Sequence, residues 1–381
     1  MVRPVTQDSM ARLAILGSRG IPAQYGGFEV AAERIALGLV KRGWHVTVFC
    51  PHYQTYRQRS YEGIRLRFVW HPPGGIGSLL YDGLSLVIAS AMRLDAILMF
   101  GYGASPFLLV PRVVGVPVVV NTDGLEWKRS KWAWPVKLYF KFAERVVSMM
   151  ADGLISDAQG IRRHYREKYG VDSEYIAYGT DVPDTAASDV SQYGLRSRQY
   201  YLVLMRLEPE NSILEIVQGY LASRASRSLV LVGTSSPFFE RKVRPLLNGQ
   251  ERVRFVGPIY DRKRVAAMRL NAFAYVHGHS VGGTNPSLLE AMACANFVIA
   301  KDVEFNREVL GGLGRYFATA DDLMQILNDL EQADPGMIQR TGEAGRAIVE
   351  TQFKWESVVD AYARVVAAAM ARVRGAQDQG S

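Results

Sequence analysis

The feature of this sequence that most limits its fold is an alternation of short apolar runs with helix-length segments, which occurs twice along the chain. Short apolar runs of this kind are typical of parallel strands that are buried on both faces of a sheet. The alternation therefore predicts the α/β class, with two doubly wound parallel sheets. The predicted strands lie at 12–17, 44–50, 64–69, 96–100 and 116–121 in the first series, and at 200–205, 228–233, 252–256, 272–277 and 297–300 in the second.

A polar segment at 183–199 separates the two series and predicts a linker. We therefore expect a first Rossmann-like domain at 1–185 and a second at 195–350. Residues 355–374 show an amphipathic helical pattern, and we expect a terminal helical segment at 351–374 to pack back on the first domain. Open α/β sheets bind ligands beyond the carboxyl ends of their strands, so two such domains predict a ligand cleft at those ends.

The composition narrows the class of protein further. A formal net charge of +8 favours a phosphate-rich substrate or an anionic membrane surface. Nucleic acid is not an expected partner, because zinc-finger spacings and RNA-binding aromatic motifs are missing. Two distant cysteines argue against a disulfide framework, and no cluster has the ligand spacing of a metal site. We expect neither a signal peptide nor a membrane-spanning helix, because charges or prolines interrupt the long apolar stretches.

The strongest local motif follows the strand predicted at 272–277. The strand ends in two histidines, a Gly-Gly turn follows, and Thr284 or Asn285 is placed to cap the next helix. Such a turn aims unpaired amides at an anion such as a nucleotide diphosphate, and Glu290 can accept hydrogen bonds from ribose or sugar hydroxyls. Packed histidines and a glutamate that only favours the helix dipole are the alternatives. The candidate ligand-binding residues of this motif are His277, His279, Gly282, Gly283, Thr284, Asn285 and Glu290.

Two further features predict phosphate binding. Gly26 and Gly27 directly precede a predicted helix, where glycine amides and the helix N-terminus favour an oxyanion; a simple turn is the alternative. Arg206 stands at the end of the strand that opens the second series, where a guanidinium can clamp a diphosphate. A surface ion pair with Glu208 or Glu210 is the alternative for this arginine.

A cluster of tryptophans and cations follows the strand predicted at 116–121. Indoles beside cations suit the headgroup boundary of a lipid bilayer or an acceptor that carries a pyrophosphate. The alternative is a solvated basic helix whose tryptophans lie in the core. Asp123 and Glu126, together with Asp157 at the end of another predicted strand, are candidate catalytic carboxylates that bind an acceptor. The acceptor or membrane candidates are Trp127, Lys128, Arg129, Lys131 and Trp132.

Several short motifs of this sequence, which occur in order along nearly the whole chain, resemble the motifs of one family. They are Gly-Ser-Arg-Gly-Ile-Pro at 17–22, Tyr-Gly-Gly-Phe-Glu at 25–29, Asp-Gly-Leu-Glu-Trp-Lys-Arg-Ser-Lys-Trp at 123–132, Ile-Ala-Tyr-Gly-Thr at 176–180, Pro-Glu-Asn at 209–211 and the histidine-glycine motif at 278–291. The chain resembles the retaining GT-B glycosyltransferases of family four, and more narrowly the bacterial, streptococcal-type rhamnosyltransferases of cell-wall and capsule synthesis. The resemblance implies the GT-B fold, with two facing Rossmann-like domains and a C-terminal crossover helix.

The resemblance also implies a chemistry. The first domain would bind an acceptor, and the second would bind a nucleotide-sugar donor, dTDP-L-rhamnose, with no cofactor and no metal. The implied acceptor is a lipid-diphosphate-linked saccharide, which a cytoplasmic protein would meet at the inner face of the plasma membrane. Besides the histidine-glycine motif, the residues matched to donor binding are Gly26, Gly27, Arg206, Glu210 and Asn211.

Three positions depart from the family pattern. The broad family places two glutamates eight residues apart in its donor domain; here Glu290 fills the second position and Gly282 the first. Ser280 stands where the rhamnosyltransferase-like sequences carry a glutamate, and Asn211 stands where the broad family has a phosphate-binding lysine. The alternatives are therefore a UDP-sugar or GDP-sugar donor, a nucleotide-sugar 2-epimerase, or a non-enzymatic membrane-binding module.

Overall fold

The computed structural model describes residues 10–23, 26–129, 132–183 and 189–379, and it divides the chain into two compact units. The first unit ends at Tyr178 and is completed by the chain from Trp355 onward. The second unit runs from Gly179 to Lys354. The division therefore lies before the polar segment at 183–199, and the last residues before Trp355 belong to the second unit rather than to the terminal helix.

The first unit is built on an eight-stranded sheet in the order β3-β4-β2-β1-β5-β6-β7-β8. All neighbouring strands are parallel except β3 and β4. The strands that run through the middle of the sheet are almost wholly buried, as the apolar runs require. The strands are β1 (Arg12–Leu16), β2 (His45–Pro51), β3 (Ser60–Tyr61), β4 (Ile64–Val69), β5 (Ala96–Phe100), β6 (Val118–Asn121), β7 (Gly153–Ser156) and β8 (Glu174–Tyr175).

Helices connect these strands. A 3-10 turn at Ser105–Leu108 leads directly into α3, and a second one spans Glu126–Lys128. The α-helices of this stretch are α1 (Gly27–Lys41), α2 (Gly75–Ser90), α3 (Leu109–Val113), α4 (Trp134–Met150) and α5 (Gln159–Tyr169).

The second unit repeats the architecture with a six-stranded, fully parallel sheet in the order β11-β10-β9-β12-β13-β14. Its strands are β9 (Tyr200–Leu204), β10 (Ser228–Val232), β11 (Val253–Gly257), β12 (Ala274–His277), β13 (Phe297–Lys301) and β14 (Gly314–Phe317). Its helices are α6 (Ile213–Ala222), α7 (Arg262–Leu270), α8 (Pro286–Ala293), α9 (Glu304–Leu310), α10 (Ala320–Gln332) and α11 (Pro335–Gln352). All ten predicted strands are present, with ends shifted by two residues at most.

The terminal helix α12 (Trp355–Gln379) packs on α1 and on the sheet of the first unit. Tyr362 of this helix is buried, and its hydroxyl accepts a hydrogen bond of 2.5 Å from the side-chain amide of Asn121 at the end of β6. Near its other end, Arg374 pairs with Asp95 at 3.0 Å. No helix in the described part of the chain is both long and apolar enough to cross a bilayer.

A single buried carboxylate ties α4 to its surroundings. Glu144 has no exposed side-chain surface, and its oxygens contact Trp127 Nε1 at 2.7 Å, His164 Nε2 at 2.8 Å, Lys168 Nζ at 2.9 Å and Tyr169 OH at 2.7 Å. Burial alone would raise the pKa of this carboxyl, but the four hydrogen bonds lower the pKa to about 2. The ionised side chain therefore holds α5 and the 3-10 turn at Glu126–Lys128 against α4.

We predict that Glu144→Ala lowers the free energy of unfolding by about 3 kcal/mol at pH 7, because Trp127, His164, Lys168 and Tyr169 lose the ionised acceptor that they share. Equilibrium denaturation followed by tryptophan fluorescence measures the loss. The folded-state pKa lies below the ordinary value of 4.5, so the contribution is complete above pH 4.5 and is lost as the pH falls toward about 2.

The matched control is Glu167→Ala, which removes an exposed glutamate from α5. This variant should change the stability by no more than about 0.5 kcal/mol. A Glu144→Ala protein that equals the wild type in stability at pH 7 would contradict the role of the carboxylate.

Candidate functional site

The candidate site of the second unit lies at the carboxyl edge of its sheet, where the segments after β9 and β12 meet. The carbonyl of Glu210 accepts hydrogen bonds from the amide and the hydroxyl of Ser280, at 3.1 and 2.6 Å. The side-chain amide of Asn211 donates to the carbonyl of Arg206 at 2.7 Å. These bonds join the two segments and fix the backbone of Arg206 at the end of β9.

Two glycines allow this close approach, because a side chain at either position would collide with a neighbouring backbone. A Cβ at Gly278 would lie 2.1 Å from the carbonyl oxygen of Asn211. A Cβ at Gly233 would lie 1.8 Å from the carbonyl oxygen of Met205, and Gly233 also has a φ of +150°. The chain after β9 is therefore held between the segments that follow β10 and β12.

The groups on the open side of this edge suit an anion. Arg206 is exposed, and the amides of Gly282 and Gly283 donate to no acceptor within the residues that the structure describes. Asn285 caps α8 by accepting a 3.0 Å hydrogen bond from the amide of Ser287, which confirms the predicted cap. A guanidinium, uncommitted amides and a helix N-terminus all stabilise negative charge, and a phosphate group matches them in charge and size.

His277 does not have the ligand contact that its sequence position predicts. Its ring is completely buried at the end of β12 and stacks on the ring of His279, with the centroids 4.6 Å apart. Burial first, and then the charges of His279 and Arg269, lower the pKa of His277 well below its ordinary value, so the ring is neutral. A ring without exposed surface supports His279 rather than touching a ligand.

Asn211 and Thr284 are also corrected from ligand contacts to structural positions. Asn211 is 2% exposed, and its side-chain amide donates a hydrogen bond to the carbonyl of Arg206. It therefore positions the arginine that precedes it by five residues. A buried amide thus stands where the family that the sequence resembles has a lysine. Thr284 is 3% exposed and lies under the glycine turn.

Beneath the turn lies a buried polar network that the sequence patterns did not reveal. Arg269 of α7 is buried, and its Nη2 lies 2.6 Å from Glu290 Oε2 and 3.0 Å from Ser287 Oγ. The hydroxyls of Ser287 and Tyr275 are 2.6 Å apart and share a hydrogen bond, and both lie within hydrogen-bond distance of the carbonyl of Leu204 at the end of β9. Because the Glu290 side chain is 43% exposed, one side of it is open to a ligand while the guanidinium holds the other.

The first unit places Asp123 at the carboxyl edge of its sheet, directly after β6. Asp123 has a φ of +54°, a conformation that side chains rarely adopt, and its amide donates to Asn121 Oδ1 at 3.0 Å. Asn121 is in turn bound to Tyr362, so the terminal helix supports this turn. The carboxylate of Asp123 lies 3.7 Å from Arg129 Nη2.

Glu126 and the neighbouring tryptophans are held by polar contacts, and the Glu126 side chain remains 20% exposed. Glu126 accepts from Arg129 Nε at 2.6 Å and from Trp132 Nε1 at 3.1 Å, and the indole of Trp127 is committed to Glu144. Trp127 and Trp132 are partly buried, and their role as contacts of an acceptor or a lipid surface stays a prediction. Lys128 is exposed, and Lys131 lies outside the described residues.

Asp157 follows β7 and is 1% exposed, beside the end of β6. Burial, and then the charges of Asp123 and Asp157, raise the pKa of the Tyr178 hydroxyl. Asp123, Asp157 and Tyr178 therefore share one neighbourhood at the carboxyl edge of the first sheet. The structure brings these two predicted carboxylates together, with Asp157 below the surface.

The glycine pair at the start of α1 encloses a carboxylate of the protein itself. Glu29 Oε1 accepts a 2.8 Å hydrogen bond from the amide of Arg19, and a Cβ at Gly26 would lie 1.9 Å from Glu29 Oε2. The position predicted for a phosphate beside Gly26 and Gly27 is thus occupied by Glu29, whose burial raises its pKa. Across the described ranges, no three His, Cys, Asp or Glu side chains are arranged to hold a metal.

Comparison with known proteins identifies the fold. The model of a domain of unknown function (DUF1972) matches residues 98–181, and no curated protein matches the sequence. HepE from Anabaena, solved in complex with UDP, superposes with a TM-score of 0.74 and 16% identity, covering 94% of this chain and 100% of that one. Sucrose-phosphate synthase from Thermosynechococcus elongatus gives 0.75 and 19%, with the same coverage.

A glycosyltransferase from Rickettsia africae gives a TM-score of 0.74 and 15% identity, over 95% of this chain and 99% of that one. Similarity of this extent over whole chains shows that the protein has the GT-B fold, with two Rossmann-like units. The predicted fold class is thereby confirmed.

The ion pair between Arg269 and Glu290 generates a prediction about stability. We expect Glu290→Ala to lower the free energy of unfolding by about 2 kcal/mol, because the buried guanidinium loses its counter-charge. Adding Arg269→Met should restore part of the loss, because no buried charge then remains. Urea denaturation of the single and double variants measures both effects, and a double variant less stable than Glu290→Ala would contradict the pairing.

Proposed function

We propose that this protein is a retaining glycosyltransferase that uses a nucleotide sugar as its donor. The observation that carries the proposal is the anion-binding arrangement of the second unit, in which exposed Arg206 and the amides of Gly282 and Gly283 lie at the carboxyl edge of the sheet. The GT-B fold supports it, since HepE, which shares this fold, is solved with UDP. A nucleotide diphosphate is the leaving group that such an arrangement would stabilise.

In this proposal the donor nucleotide is bound by the second unit. Arg206 pairs with the diphosphate, and the N-terminus of α8 adds positive potential. Glu290 accepts hydrogen bonds from the ribose or the sugar, because its outer side is open and its inner side is fixed by Arg269. Charge on the departing diphosphate is therefore neutralised by groups of the chain itself, and we propose a reaction without a metal or another cofactor.

The chemical step follows from these groups. The acceptor hydroxyl attacks the anomeric carbon from the face that the diphosphate leaves, the bond from this carbon to the phosphate oxygen breaks, and the bond to the acceptor oxygen forms. The departing phosphate oxygen takes the proton of the acceptor hydroxyl. In the first unit, Asp123 and Glu126 are the carboxylates that we propose to orient the acceptor, with Asp157 beneath them.

We further propose dTDP-L-rhamnose as the donor and a lipid-diphosphate-linked saccharide as the acceptor, in a rhamnosyltransferase of the family-four type. The motif phrases of the sequence support this choice, and the net charge of +8 suits a phosphate-bearing acceptor. The protein would then act in polysaccharide synthesis from the cytoplasmic side, at the inner face of the plasma membrane.

The role of Arg206 is tested by Arg206→Ala, which should reduce kcat for sugar transfer by about 10²–10³-fold because the leaving diphosphate loses its main counter-charge. The matched control is Arg224→Ala, which removes another exposed arginine of the second unit and should retain normal turnover. Circular dichroism and the Tm of both variants should equal those of the wild type. Near-normal kcat in a folded Arg206→Ala protein would refute the assignment.

The donor is tested by a panel of nucleotide sugars in the presence of EDTA. At about 100 times its Kd, the true donor should stabilise the protein by about 2.7 kcal/mol, which raises the Tm by several degrees. We expect dTDP-L-rhamnose to give the largest rise and to be consumed only when a lipid-diphosphate saccharide is supplied. A larger rise with UDP-glucose would overturn the donor assignment, and conversion of the nucleotide sugar without acceptor would indicate an epimerase.

A further inference from the structure

The first unit exposes an apolar stripe along one side of α4. Trp134, Leu138, Phe142 and Met149 repeat at the spacing of helical turns, so their side chains lie on one face of this helix. Their exposures are 75, 60, 55 and 69%, whereas the opposite face is buried at Val147 and its neighbours. A helix of a globular protein normally buries such a stripe against another element.

Exposed apolar side chains also lie on two neighbouring helices, α2 and α3. Both α2 and α4 pack on the 3-10 turn at Ser105–Leu108 that leads into α3, so the three helices surround one short segment. Eleven of the sixteen exposed large apolar side chains in the described part of the chain lie on these helices and the residue after α3. Beyond the α4 stripe they are Val136, Leu80, Leu84, Val87, Leu109, Val113 and Val114. We call this area the α2–α4 surface.

The exposed charged side chains of the α2–α4 surface are all positive. Arg112, Lys141 and Arg145 are exposed among the apolar residues. The described residues of α2, α3 and α4 include only two acidic side chains. Glu144 is fully buried in its network, and Asp82 is largely buried, with a pKa raised by burial to about 7.

From these observations we infer that the α2–α4 surface docks on an anionic phospholipid bilayer, with the apolar side chains in the headgroup region and the cations on the lipid phosphates. An amphipathic helix with aromatic and aliphatic residues on one face and basic residues beside them binds a bilayer interface in this way. Trp134, the most exposed residue of the α4 stripe, is of a type enriched at that boundary. The inference deepens the proposed function, because it rests on an acceptor that is carried by a membrane.

A second copy of the chain fits this surface less well. In a symmetric dimer the same surface would face itself, so the cations Arg112, Lys141 and Arg145 of one copy would lie across the interface from those of the other. Like charges brought together in this way oppose association, whereas an anionic bilayer neutralises them. The charge pattern therefore favours the lipid surface as the occupant.

The apolar contribution is tested by co-sedimentation of the full-length protein with vesicles. We expect the wild type to bind vesicles of phosphatidylglycerol and phosphatidylcholine far more tightly than vesicles of phosphatidylcholine alone. The double variant Leu138→Ser, Phe142→Ser should bind the anionic vesicles roughly tenfold more weakly. The matched control Leu246→Ser, Tyr260→Ser changes two exposed apolar residues of the second unit and should bind as the wild type does.

The electrostatic contribution is tested by two charge reversals that change the net charge equally. Lys141→Glu, Arg145→Glu removes cations from the α2–α4 surface, and Arg241→Glu, Lys242→Glu removes exposed cations from the second unit. The first pair should weaken binding to anionic vesicles at least about tenfold. The second pair should keep the affinity within about twofold of that of the wild type. Equal effects of the two pairs would indicate attraction by net charge alone and would overturn the proposed surface.

Two other outcomes also overturn the inference. One is a wild-type protein that does not sediment with anionic vesicles. The other is a wild-type dimer that Leu138→Ser, Phe142→Ser converts to a monomer, as seen by light scattering after gel filtration. Vesicle binding requires no turnover, so it is separable from the proposed function: sugar transfer to a detergent-dispersed acceptor should be unchanged in the surface variants.

Discussion

The burial of both faces of each parallel sheet is the constraint on which the rest of this structure depends. Because the central strands are buried, polar side chains can reach ligands only from the segments that follow the strands. Asp123 follows β6, Arg206 follows β9, and the glycine turn follows β12. The candidate chemistry of each unit is therefore gathered at one edge of its sheet, while the helices on the faces serve packing and surface contacts.

Buried polar groups in this protein hold its functional groups in place. Asn211 fixes the carbonyl of Arg206, and Ser280 joins the segments after β9 and β12 through the carbonyl of Glu210. Both residues stand where the sequence departs from the pattern of the family that it resembles. At both positions a short side chain satisfies a backbone carbonyl.

The strands were well predicted because a strand buried on both faces is a continuous apolar run. Such a run can be recognised in the sequence without knowing which strands pair with it. Prediction from the sequence missed the two-residue strands β3 and β8, which are too short to show a pattern, and it also missed the four-residue strand β14. Burial of particular polar residues was harder to predict: nothing local distinguishes the packed ring of His277 from a ligand contact. Arg269 became visible as a partner of Glu290 only in the folded chain, although its place between Met268 and Leu270 was a signal that could have been used.

The path of the chain has a consequence for its biosynthesis. The first unit needs α12, whose buried Tyr362 holds Asn121, yet the ribosome makes this helix only after the whole of the second unit. Residues up to Tyr178 therefore emerge with part of their sheet uncovered, while the contiguous second unit can complete its fold as it leaves the exit tunnel. A nascent chain that stops at Lys354 would release an intact second unit attached to a first unit with an exposed apolar sheet face, which marks it for chaperones and proteases.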